Sequence, residues 1–201
     1  KEYASYLLRQ GLNIGILEND FGAVNVDMML LQELQGEKCE LEMISGGCDK
    51  ETHRRRFKTK LISMAMCGYD RVIVEPSGIY DMDEFFDVLH EEPLDRWYEI
   101  GNVIAVVDAR LEDALSPEYL LASQAANAGC MILSKCDTAT EEQRRNTIAH
   151  LKRSLTALGC KQRADQKVLC EGAEPLPDQD FATILSCGYH IASYEKPDFA
   201  K

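Results

Sequence analysis

The sequence predicts an α/β fold, a mainly parallel β-sheet with helices on both faces. Short apolar runs alternate with helix-length patterns, the arrangement of βαβ units. The runs are apolar enough to be strands covered on both faces, as parallel sheets are. Several of them end abruptly on acidic, amide, hydroxyl or glycine residues, which is where such sheets bind ligands.

Each element follows from local chemistry. In KEYASYLLRQ, residues 1–10, Tyr3, Tyr6 and Leu7 share one helical face and Gly11 stops the helix. Ile14, Ile16 and Leu17 make residues 13–18 a strand, running into LENDFG. Met28, Leu30, Leu31 and Leu34 place a short helix or turn at 27–34, and a strand follows at 39–45, closed by Gly46 and Gly47. A helix over 52–67 carries Leu61, Ile62, Met64 and Ala65 and ends near Gly68. Residues 71–75 form a strand, 81–90 a helix with Phe85, Phe86 and Leu89, and NVIAVV at 102–107 a strand ending at Asp108. Residues 117–127 are helical, and 130–134 form a strand ending at Ser134. The helix at 140–158 starts on Thr140, Glu142 and Gln143 and stops at Gly159. A strand at 167–170, the proline-rich linker EPLPDQD and a tail with a helix and a strand complete the chain.

Bulk properties narrow the function. The chain has 201 residues, 45% hydrophobic and 28% charged, as an ordinary globular domain has, and a formal net charge of -12. That charge speaks against nucleic acid or an anionic membrane as the main partner. The basic run HRRRFKTK at 53–60 is local and reads as a solvated helix face or loop flank, the alternative being contact with phosphate. No apolar stretch approaches membrane-spanning length and no signal peptide is visible. The eight cysteines are scattered, with no CxxC pair, so a reduced, cytoplasmic setting is expected.

The strand ends hold the candidate site. In ILSKCD, 132–137, Lys135 and Asp137 close a strand. A carboxylate there accepts two hydrogen bonds from the N1 and N2 donors of guanine while the lysine stem packs along the purine; adenine offers no matching pair. The bland alternative is a surface Lys and Asp. In VIVEPSG, 72–78, Glu75 would stand beside a nucleotide's magnesium or its attacking water, and Gly78 would let a backbone N–H approach the γ-phosphate. The alternative is an ordinary strand-to-turn transition. LENDFG, with Asp20 and with Asp27 a few residues on, reads either as a switch loop touching magnesium or a second metal, or as a helix-capping loop.

Their order and spacing resemble a family. LENDFG with Asp27, a Gly47-Cys48 loop, VIVEPSG, VIAVVDA, and Gln124 ahead of ILSKCD are similar to the CobW-type GTPases of metal handling, relatives of the hydrogenase- and urease-maturation GTPases. The resemblance covers roughly residues 1–140. It implies a P-loop NTPase-type domain over residues 1–170, with 171–201 a short C-terminal extension. It implies a magnesium-dependent GTPase with a metallochaperone or metallocentre-assembly role, the alternative being a non-hydrolysing module on the same fold. Ser134, Lys135 and Asp137 would read guanine, Glu75 and Gly78 would form the γ-phosphate switch, and Glu75 or Asp20 would stand near the metal. A client metalloprotein is the implied partner.

Two departures qualify the resemblance. The family's Cys-x-Cys-Cys motif keeps its first cysteine as Cys48, but Lys50 and Glu51 replace the others. Cys48 with His53, aided by Cys39, Asp49 or Asp27, is then the candidate set for zinc or another transition metal. Second, no G-x-x-x-x-G-K-[ST] occurs in the 201 residues. The expectation is a chain that begins after its phosphate loop and one central strand, the alternative a relative that never had the loop.

Overall fold

The apolar run after Gly11 becomes the middle strand of a parallel sheet. The computed structural model describes residues 1–20, 26–45, 50–76, 82–111, 118–160 and 167–191. They divide into two units, Lys1–Glu99 and Ile100–Lys201.

In the first unit, α1 (Glu2–Arg9) leads into β1 (Ile14–Asp20), followed by α2 (Val26–Leu31), a 3-10 turn (Gln32–Leu34), β2 (Cys39–Ser45), α3 (Lys50–Ala65), β3 (Arg71–Glu75), α4 (Met82–Leu89) and α5 (Leu94–Trp97). The strand order is β2-β1-β3, and both pairings are parallel. The middle strand explains the uninterrupted apolar run: Ile14 and Leu17 are fully buried and Ile16 nearly so. On α3, Phe57, Leu61 and Met64 recur at helical spacing and are each about fully buried. Burial of side chains this size is worth about 1.5–3 kcal/mol each. Gly15 lets this helix close on the sheet: a Cβ there would lie 2.6 Å from Met64 Cε and 2.9 Å from the Tyr69 ring.

The second unit holds β4 (Ile104–Asp108), α6 (Glu118–Asn127), β5 (Cys130–Ser134), α7 (Glu141–Ala157), β6 (Lys167–Cys170) and α8 (Asp178–Ser186). Its order is β4-β5-β6, again parallel. The core is rich in small residues, with Ala105, Ala109, Ala122 and Ala125 packed among Val107, Leu133, Leu151 and Leu155. Small side chains on α6 let that helix lie close to its neighbours, and α7 packs against it. The start of α7 is closed reciprocally: Gln143 N donates to Thr140 Oγ1 at 3.1 Å and Thr140 N to Gln143 Oε1 at 2.9 Å.

The α/β class with parallel strands matches the expectation. The strand expected at 102–107 instead spans Ile104–Asp108, because Val103 N is turned to Gly188 O at 3.0 Å. The tail helix is α8; of the expected tail strand, the described residues carry a single antiparallel bridge between Ala128 and Tyr189, and residues 192–201 lie outside the described residues. Residues 171–191 fall within the second unit, where Glu171 and Gly188 hydrogen-bond to its strands and loops.

Candidate functional site

In the first unit, polar groups gather where β1 and β3 end. Parallel register sets Glu18 beside Glu75 and Asn19 beside Ile44. Glu18 and Asn19 are 3% and 5% exposed, an unusual place for a carboxylate and an amide. Asn19 is matched by His53 on α3, whose Nε2 lies 2.6 Å from Asn19 Oδ1 and donates to it in the tautomer that carries the Nε2 proton. Burial and then the nearby Arg56 push the His53 pKa below its ordinary value, with Glu84 opposing, so the ring is neutral at neutral pH. Glu75 as a residue is exposed at the end of β3, yet its carboxyl is pushed up, first by the desolvation of its surroundings and then by the Asp27 carboxylate in the first turn of α2. A carboxylate pair that raises its own pKa is relieved by a cation, and its hard oxygen donors suit magnesium.

The backbone of Asp20 closes β1 opposite Ser45. Gly78 and Cys48 lie outside the described residues. Among the described residues no group of three or more His, Cys, Asp or Glu side chains is arranged to hold a metal ion.

Three of the five lysine and arginine side chains in the basic run on α3 pair with two acids of the same unit. Arg54 and Lys58 pair with Glu91, Lys58 at 2.6 Å, and Lys60 pairs with Glu42 at 2.7 Å. Lys58 and then Arg54 draw the Glu91 pKa down. Phe57, inside the run, faces the core. The run is thus a salt-bridged helix face with one apolar anchor.

In the second unit the loop after β5 is held in an unusual shape. Lys135 has φ 60°, a left-handed conformation that costs a non-glycine residue about 1–3 kcal/mol. Several bonds impose it. The Lys135 carbonyl accepts from Thr138 N and Ala139 N at 3.2 Å each and from Thr138 Oγ1 at 3.1 Å. Cys136 N donates to Glu171 O at 2.8 Å, and Glu171 N to Leu133 O at 2.8 Å. Ser134 Oγ donates to Val107 O at 3.4 Å and Ser134 O accepts from Ala109 N at 2.9 Å, so this serine ties β5 to β4.

Register sets Asp108 beside Ser134, and Asp108 becomes the hub of the charges there. Its Oδ2 accepts from Lys135 Nζ at 2.7 Å and Arg110 Nη2 at 3.2 Å; its Oδ1 accepts from Arg110 N at 2.9 Å and Arg110 Nε at 3.2 Å. Arg110 first, and then Lys135, hold the Asp108 carboxyl well below the usual carboxylate range. Asp137 is exposed and, among the described residues, accepts no side-chain hydrogen bond or ion pair. Gly172 lies against it: a Cβ there would meet Asp137 Cβ at 3.2 Å and Asp137 N at 3.4 Å. Cys136 Sγ donates to Leu133 O at 3.2 Å, and burial, then the neighbouring Cys170 thiol, pushes Cys136 up to about 11.

The structure places Ser134 at the end of β5 with Lys135 and Asp137 in the loop after it, and Asp27, in the first turn of α2, close enough to Glu75 at the end of β3 to raise its pKa. Sequence reasoning passed over the Asn19–His53 pair, the Asp108–Arg110–Lys135 cluster and Gly172. Asp108 was recognisable as a strand-end acid; its pairing with Lys135 was not, because that depends on β4 and β5 being neighbours.

Comparison with known proteins bears on this geometry. A family model described as "CobW/HypB/UreG, nucleotide-binding domain" matches residues 4–161. A protein named "Zinc chaperone YjiA", from Escherichia coli (strain K12), is 26% identical over 144 residues, which cover 68% of this chain and 44% of that protein. The chain thus spans less than half the length of this curated relative.

Proposed function

The chain belongs to the CobW/HypB/UreG family of nucleotide-binding domains, and on that premise we propose that it binds guanine nucleotides and hydrolyses GTP, in the cytoplasm, to help deliver a metal ion to a client metalloprotein. The observation that carries the reading is the loop after β5. An exposed Asp137 carboxylate stands two residues from a lysine fixed in a left-handed conformation. Such a carboxylate accepts from guanine N1 and N2 together, and the aliphatic stem of Lys135 offers a surface for the purine. Ser134 secures the loop to β4.

Glu75 and Asp27, with Asp20, are the candidate oxygen donors for magnesium, which when bound neutralises charge on the phosphates. The raised pKa of Glu75 fits a position that gains by meeting a cation. Gly78 is the candidate backbone donor to the γ-phosphate. For the transported ion, zinc by analogy with the relative's name, Cys48 and His53 with Asp27 are the candidate ligands. His53 is neutral at neutral pH, as a ligating imidazole is.

The test is titration with fluorescent GTP and ATP analogues, with phosphate release measured in parallel. The expected result is at least about tenfold preference for GTP, lost in Asp137→Ala. No binding of either analogue overturns the proposal, and preference for ATP overturns the role of Asp137. Binding without phosphate release identifies the second reading, a non-hydrolysing binding module. Metal analysis with and without GTP, on wild type and Cys48→Ser, tests the cargo: bound zinc that persists in Cys48→Ser rules that cysteine out.

A further inference from the structure

We propose that Asp108 is a positioning residue for guanine recognition: it holds the Lys135 ammonium and the Arg110 guanidinium, and so leaves the Asp137 carboxylate open to the base. This deepens the guanine reading and rests on it. The loop after β5 and the end of β4 carry two cations and two carboxylates within a few residues. Left to themselves, exposed charges of opposite sign pair indiscriminately, and Lys135 and Arg110 have two acids to choose from. Arg110 is close enough to Asp137 to feel its charge.

The geometry resolves the choice. Both oxygens of Asp108 are engaged by the two cations, Lys135 Nζ at 2.7 Å and Arg110 Nη2 and Nε at 3.2 Å each. The backbone N–H of Arg110 adds a bond at 2.9 Å, anchoring the carboxylate to its own turn. Asp137 is left with none of these donors. A guanidinium paired with Asp137 would occupy the side of the carboxylate that guanine N1–H and N2–H must approach together, and would draw off its charge, so keeping the cations on Asp108 leaves that side open to the base.

The second consequence concerns the lysine. Its Cα lies at the end of β5 and its ammonium is held at the end of the adjacent β4, since Asp108 and Ser134 are register partners. The stem therefore spans the edge between two strands. A long side chain tethered at both ends has already lost the rotamer freedom that packing against a purine would otherwise remove. Asp108 thus acts twice on guanine and touches it nowhere.

The test uses the full chain, with GDP and ADP affinities measured by competition against a fluorescent GTP analogue in wild type, Asp108→Asn and Asp108→Glu. Asp108→Asn keeps the shape and removes the charge. It is expected to weaken GDP about tenfold and ADP by less than about threefold, because the guanine-specific acceptor is lost while the packing of the lysine stem, common to both purines, is only loosened. Asp108→Glu is expected to stay within about threefold of wild type. A merely structural role would weaken both nucleotides together. In parallel, NMR of 13C-methylated lysines, with Lys135 assigned by Lys135→Arg, is expected to show the Lys135 signal moving toward its solvent position in Asp108→Asn. An unchanged GDP-to-ADP ratio in Asp108→Asn, or an unmoved Lys135 signal, overturns the positioning role alone. Failure of the wild type to prefer GDP overturns the guanine reading and this inference with it.

Discussion

Gly129→Ala tests how tightly the second unit is closed around β5. A Cβ on Gly129 would lie 2.3 Å from Cys187 O, 2.3 Å from Gly188 O and 2.8 Å from Cys187 C. Carbon and carbonyl oxygen come no closer than roughly 3.3 Å at ordinary contact, so both carbonyls would have to retreat by about 1 Å. Both are backbone atoms, and the segment that carries them is hydrogen-bonded on either side. Gly188 O accepts from Val103 N at 3.0 Å, Gly129 N donates to Val103 O at 2.9 Å, and His190 N donates to Asn127 O at 3.0 Å. Relieving the clash opens this clasp. Losing two or three hydrogen bonds at about 1 kcal/mol each, plus residual overpacking of about 1 kcal/mol, gives a destabilisation of about 3 kcal/mol. With an m-value of about 2 kcal/mol/M, the urea midpoint falls by about 1.5 M. Far-UV circular dichroism during urea unfolding reads this directly. Gly101→Ala is the control, since a Cβ there meets nothing within 4 Å; its midpoint is expected within about 0.25 M of wild type. A Gly129→Ala midpoint as close as that to wild type would show that the 187–190 segment yields freely, and would refute the steric reasoning.

Glu75→Gln, measured without metal, is expected to stabilise the protein at pH 7. A carboxyl whose folded pKa is raised takes up a proton more readily when folded, so stability declines as pH rises from its unfolded value through the folded one. The gain from Gln should therefore vanish at and below about pH 3, where Glu75 is protonated in both states; a gain that persists there, or is absent at pH 7, speaks against the raised pKa of this carboxyl. Thiol alkylation followed by mass spectrometry should label exposed Cys67 well ahead of Cys130. Burial pushes the Cys130 thiol up to about 11 from an ordinary 9.0, which makes its thiolate about a hundredfold rarer. Equal labelling rates would contradict the sealed start of β5.

What the sequence determined by itself was the succession of elements and the chemistry at their ends. Helix stops such as Gly11, Gly68 and Gly159 all carry positive φ, and the Thr140–Gln143 box closes α7 as residues a few positions apart allow. These features depend on neighbours along the chain, so periodicity and capping residues reveal them. The family, too, was legible, because its landmarks lie at strand ends in a set order. Only the tertiary structure decided that β1 lies between β2 and β3, that His53 reaches Asn19 across 34 positions, and that Lys135 finds Asp108 across 27. It alone shows why Gly129 and Gly172 have no side chain, since what presses on them comes from residues 187–188 in one case and Asp137 in the other. Strand order and such contacts are chosen by packing between segments distant in sequence, and no local pattern carries that information.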